Sequence, residues 1–143
     1  MKVAVIRNPH SGRGAGARSW PEIEARLRES LGELLVSIES TRAAGSGAEQ
    51  ARELADSGIE IIVAVGGDGT ISDVMQGVVH TESALAIIPL GTGNDFSRTL
   101  GIGTDCGRAI EAIKAAQIQN IDVGPLAARG YLRLLPEHCG VWF

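Results

Sequence analysis

The chain has 143 residues, enough for one domain of ordinary size with a real core. A formal charge of −4, with no cluster of lysine and arginine, argues against a polyanion-coating protein, so no nucleic-acid partner is expected. Hydrophobic residues make up 44% but aromatics only 3%, so the core must be aliphatic, and with 19 glycines this suits an α/β domain.

In chain order, Lys2 to Arg7 predicts a first strand, because β-branched residues dominate and a loop rich in Asn, Pro, Ser and Gly follows. A helix is expected from near Ser19, where Ser19 and Glu22 have capping-box spacing and Pro21 suits a first turn. Trp20, Ile23, Leu27, Leu31 and Leu34 give it one apolar stripe. The run LLVSIES is a second strand ending near Thr41. Ser46 and Glu49 repeat the capping-box spacing at the start of a second helix, and Gly58 marks its stop.

Ile59 to Val65 is an apolar run too short for a stable helix and predicts a buried parallel strand. A third helix starts inside the glycine motif that follows and carries Ile71, Val74, Met75 and Val78 on one face. ALAIIPL is a fourth strand stopped by Pro89, and GTGNDFSRTLGIG a loop with one helical turn. Asp105 to Ala116 predicts a helix and Ile118 to Val123 a last strand. Strands alternating with helices imply a parallel sheet with right-handed crossovers. The tail differs: Tyr131, Trp142 and Phe143 crowd into it, its apolar pattern fits neither period, and a final edge strand or docking segment is expected.

Cys106 and Cys139 lie far apart without paired-cysteine spacing, so neither a zinc site nor a disulfide framework is expected and a reducing cytoplasm is the simple reading. No stretch reaches the roughly 20 apolar residues of a membrane span, so any membrane contact is expected from the side. His80 and His138 read as surface residues.

The chemistry concentrates in two glycine loops. In a parallel α/β sheet, ligands bind outside the carboxyl ends of the strands, and VGGDGT occupies such an end. Gly66, Gly67 and Gly69 remove Cβ atoms, and the amides opening the next helix favour an anion. A bare phosphate there would be repelled by Asp68, a conflict that a divalent cation or a sugar hydroxyl resolves; the alternative is that Asp68 serves only as a turn or cap residue. The second loop, PLGTGNDF, adds Gly91, Gly93, Thr92, Asn94 and a second carboxylate, Asp95. Asp122, in NIDVG, is a third acid at a strand end, and the three suggest a shared metal and phosphate-handling site. No GxxxxGK[ST] loop is present, and the evenly spaced Gly12, Gly14 and Gly16 give no dinucleotide fingerprint, although Glu39 would suit one.

GGDGT followed by PLGTGNDFSRTLG, with NPHSGRG after the first strand, resembles the catalytic domain of diacylglycerol kinases and related bacterial lipid kinases. The resemblance covers residues 1–124 and implies a three-layer α/β/α nucleotide-binding domain with a mostly parallel sheet, of the NAD kinase and diacylglycerol kinase type. It implies ATP and Mg2+ as cofactors and transfer of the γ-phosphoryl group to a diacylglycerol-like lipid hydroxyl. ATP contacts fall on Asn8, Pro9, His10, Ser11, Gly12, Thr41, Gly66, Gly67, Asp68, Gly69, Thr70, Ile71, Ser72 and Thr92. A magnesium-linked network falls on Asp68, Asp95 and Asp122, with Asp68 in a supporting catalytic role. The family's catalytic base belongs to a second, β-rich domain, which the tail 125–143 does not resemble. The expectation is therefore a chain that binds nucleotide, is not competent alone, meets the inner membrane face peripherally, and self-associates through an uncovered face. The rival readings are an NAD kinase-like or non-catalytic nucleotide-binding module and, less well supported, a dinucleotide oxidoreductase.

Overall fold

The structure, a computed structural model, describes residues 1–116, 118–122 and 138–142, with residues 15–17, 122 and 138–142 described by backbone alone. Six strands form one sheet in the order β2-β1-β3-β4-β6-β5. They are β1 (Val3–Arg7), β2 (Leu35–Ser40), β3 (Ile61–Gly66), β4 (Ala84–Pro89), β5 (Ile118–Asp122) and β6 (His138–Trp142). The helices are α1 (Ala15–Leu31), α2 (Gly47–Asp56), α3 (Asp68–Val78), the short α4 (Asp95–Thr99) and α5 (Cys106–Ala115).

Alternation along the strands divides the core between two helical layers. Val3, Val5, Val63, Ala86 and Ile88 pack with Trp20, Ile23 and Leu27 of α1 and Ile110 and Ile113 of α5. Ala4, Ile6, Ile62, Ala64, Leu85 and Ile87 pack on the other face with Ile71, Val74, Met75 and Val78 of α3 and Ala51 of α2. Every residue of β3 and β4 is buried, which explains their unbroken apolar runs. The architecture is the expected α/β/α sandwich. Among the described residues, no helix is long and apolar enough to cross a membrane.

Three local expectations change. First, α1 begins at Ala15, so Ser19 lies inside the helix rather than capping it; Gly14, in the left-handed region at φ 83°, is the N-cap. Pro21 is therefore also internal, where its ring removes one helical hydrogen bond. Before the helix, Ser11–Gly14 passes through the left-handed region at Gly12 (φ 62°) and Arg13 (φ 53°), so this segment stays a tight loop as expected. Second, Ser46 is the N-cap residue of α2, but its side chain caps nothing there. Its hydroxyl bonds back into the preceding loop instead, to Arg42 N–H, Ala43 N–H and Ala43 C=O. Third, β5 runs antiparallel, at the sheet edge, and the tail strand β6 lies between it and β4 rather than at the edge. The rest of the tail expected from 125 onward, Tyr131 and Phe143 included, lies outside the described residues.

The α2–α3 contact depends on glycine. A Cβ on Gly77 would run into the carbonyl oxygen of Ala48 and lie 2.7 Å from Ala51 Cβ, so the helices touch almost backbone to backbone. Gly77→Ala should cost about 1–3 kcal/mol through overpacking, more than the better helix propensity of alanine returns. A lower urea midpoint with unchanged slope is expected; an unchanged midpoint would show that the layer yields freely.

Candidate nucleotide site

Three loops leave the carboxyl ends of β1, β3 and β4 on the same side of the sheet. After β1, Asn8 donates its backbone N–H to Val65 O at 3.0 Å and accepts at Oδ1 from His10 N–H at 2.9 Å. Its Nδ2 donates to Thr70 Oγ1 at 3.1 Å, tying the first loop to α3. A Cβ on Gly66 would lie 2.8 Å from Thr70 Oγ1 and 2.9 Å from Ser11 Oγ, so glycine there lets both hydroxyls close on the strand end. Ser11 Oγ is buried and makes no protein hydrogen bond.

The second and third loops meet through glycine as well. A Cβ on Gly91 would lie 2.6 Å from Gly67 Cα. Asn94 holds the third loop in shape from the left-handed region, φ 54°. Its Oδ1 accepts from Gly91 N–H and its Nδ2 donates to Gly91 O, each at 2.9 Å.

Asp68 completes the junction. Its Oδ1 accepts from Phe96 N–H at 3.0 Å and its Oδ2 from Asp95 N–H at 3.2 Å, so it caps the neighbouring helix α4 across the loop boundary. The cap reading of this aspartate is thus realised, on a helix 27 residues away in sequence rather than on its own. Its charge is offset by two N–H dipoles, which eases the conflict with a phosphate nearby.

The start of α3 is left open. Gly67 has no side chain to cap it, the first turn-closing bond is Ile71 N–H to Gly67 O at 3.0 Å, and a Cβ on Gly69 would meet nothing within 4 Å. Beside this turn lies a cavity of about 340 Å³, lined among others by Asn8, His10, Thr41, Arg42, Thr70 and Asp73. Of the expected ATP contacts, Asn8, His10, Thr41 and Thr70 reach this cavity. Pro9, Gly12, Ser72 and the exposed Thr92 flank the three loops, whereas the Ile71 side chain is fully buried in the core.

The three acids do not come together as expected. Asp95 follows β4 and pairs with Arg98 at 3.1 Å, next to Asp68. Asp122 pairs with His138, two residues before Gly140, and Gly140 pairs with Ala84, the first residue of β4. Because β5 is antiparallel, its last residue sits at the opening end of β4, opposite the loops; the Asp122 side chain lies outside the described residues. Among the described residues, no group of three His, Cys, Asp or Glu side chains converges as a metal site.

The two residues of the cavity lining with acidic or guanidinium side chains, Asp73 and Arg42, were not singled out by the sequence. Asp73 lies three residues after Thr70, on the same helical face, a spacing that could have revealed it. Arg42 directly follows Thr41, and its guanidinium turns away to Glu53 at 2.6 Å. Burial pushes the Asp73 carboxyl above its ordinary value. A carboxyl raised in the folded state binds its proton more tightly folded than unfolded. Its charge therefore costs stability above that raised value and costs nothing below the ordinary one. Asp73→Asn should raise the melting temperature of the ligand-free chain at about pH 7, with the gain shrinking toward about pH 4. A gain independent of pH would exclude desolvation as its cause.

Residues 2–126 match the family model of the diacylglycerol kinase catalytic domain. Diacylglycerol kinase of Staphylococcus saprophyticus is 30% identical over 135 residues, covering 93% of this chain and 44% of that protein. The Staphylococcus aureus (strain Newman) diacylglycerol kinase is 29% identical over 135 residues, with 93% and 42% covered. A solved structure of a diacylglycerol kinase from Bacillus anthracis superposes with a TM-score of 0.73 at 34% identity, over 85% of this chain and 44% of that one. The chain spans less than half the length of these relatives. It belongs to the diacylglycerol kinase catalytic domain family.

Proposed function

We propose that this chain supplies the ATP-binding part of a lipid kinase. The observation that carries the reading is the uncapped first turn of α3, held beside a polar cavity by three interlocked loops. The amides of that turn would receive phosphate oxygens, with Gly69 leaving them room to approach. The nucleoside end would occupy the cavity between the Asn8 and Thr41 loops, where hydroxyl, amide and carboxylate groups offer partners for a ribose and a base.

Mg2+ fits this end of the sheet in a limited way. Asp68 has lone pairs left after its two N–H bonds, and Asp95 is exposed beside it, so these two carboxylates would hold the ion. Magnesium is commonly bound by one or two carboxylates together with substrate phosphates, so two acids suffice. When bound, the ion would neutralise charge developing on the transferred phosphoryl group. Asp122 is not needed for this arrangement.

The acceptor is then a diacylglycerol-like hydroxyl presented from a membrane surface, and transfer would rest on positioning and charge neutralisation. The base that takes the hydroxyl proton belongs, in this proposal, to a partner domain. The 143-residue chain should therefore bind Mg·ATP with negligible lipid phosphorylation of its own, and self-association through a face that a partner domain would cover is part of the same proposal.

Gly69→Ala separates binding from folding. The position is helical and open, so alanine should add about 0.5–1 kcal/mol of stability. Its methyl group should nonetheless weaken Mg·ATP binding in a calorimetric titration, by about tenfold if one phosphate contact of roughly 1.4 kcal/mol is lost. A more stable variant with unchanged affinity would remove the phosphates from α3.

A further inference from the structure

We infer that Gln50 is a positioning residue, holding the Thr41–Gly45 wall of the cavity in the shape that receives the nucleoside end of the nucleotide. This rests on the nucleotide reading of the cavity. Gln50 sits on α2 and is 1% exposed, so its amide must find all its partners inside the protein.

It does so completely. Nε2 donates to Glu39 Oε2 and to Ser40 O, both at 3.1 Å. Oε1 accepts from Arg42 N–H at 3.1 Å and lies 2.9 Å from the Ser46 hydroxyl. The Ser40 carbonyl can only accept and the Arg42 N–H can only donate, which settles which way the amide points. Both Nε2 donors are in use, and Oε1 takes the Arg42 N–H with the Ser46 hydroxyl packed against it, so the buried amide offers a ligand no donor. Any effect of Gln50 on binding must pass through the loop.

That loop is pinned at its start by Thr41 N–H on Arg7 O at 2.8 Å and by the exposed Arg42–Glu53 pair at 2.6 Å. Ala43, Ala44 and Gly45 bring no long side chains, and Gly45 sits at φ 78°. The backbone there is held from the inside by Ser46 Oγ, which accepts from Arg42 N–H at 3.0 Å and Ala43 N–H at 3.1 Å, and by Gln50 beneath it. An apolar side chain would pack α2 equally well but would leave the Arg42 amide with Ser46 alone. Glu39 and Ser40, at the end of β2, are bound by the same amide, so Gln50 joins strand, loop and helix at one point. The phosphate end, at the first turn of α3, does not touch this network.

The test uses the whole 143-residue chain with two variants, Gln50→Met and the milder Ser46→Ala. Calorimetry would compare Mg·ATP with Mg·tripolyphosphate, alongside amide exchange at Arg42 and Ala43. Gln50→Met should weaken ATP by about tenfold while tripolyphosphate stays within about twofold, with faster exchange in the loop. Ser46→Ala should move in the same direction, and carries the test if Gln50→Met does not fold. Equal losses for both ligands, or an unchanged ATP affinity in a wild type that binds ATP, would overturn the inference while leaving the nucleotide reading intact. A wild type that binds neither ligand would instead sink the nucleotide reading, and this inference with it.

Discussion

The site depends on the close meeting of two backbones, Gly67 against Gly91, with the Asp68 carboxylate bridging the junction. No residue with a Cβ fits at Gly91 without forcing the two loops apart. Once the loops are in contact, Asp68 reaches the two amides that open α4 and fixes their relative position. Asn8, through Thr70, adds the first loop to the same unit. Each hydrogen bond is worth only about a kilocalorie per mole net, but together they link three strand ends in series. Loss of one member therefore loosens the others.

This arrangement changes what the aspartate means chemically. An acid in a glycine loop suggests a metal ligand first, because a lone carboxylate would repel phosphate. Here the acid is already partnered by amides, and the start of α3 is kept free for an anion. Both roles are compatible, since a carboxylate has more acceptor sites than two amides use. Structural and chemical readings of Asp68 thus cannot be separated by activity alone.

The sheet, its layers and both glycine loops were legible because strong local signals agreed: apolar runs in β3 and β4, glycine after each, and helical stripes in α1 and α3. What escaped was set by distance in the chain. The capping spacing of Ser19 and Glu22 is real, yet α1 starts four residues earlier, at Ala15, directly after the left-handed Gly14. Ser46 has the spacing of a cap, but the loop offers it better partners. Asp122 ends a strand near a glycine, as Asp68 and Asp95 follow theirs, and only the antiparallel pairing with β6 reveals that it lies at the other end of the sheet. Nothing local marks Gln50 as buried; its burial follows from where β2 ends.

The most direct measurement is amide exchange, followed by NMR, in Asp68→Ala. If the carboxylate holds the loops together, the Asp95 and Phe96 amides should exchange about tenfold faster or more, while β3 keeps its protection. Unchanged protection at both amides would contradict the account and leave the glycine contact alone to hold the site.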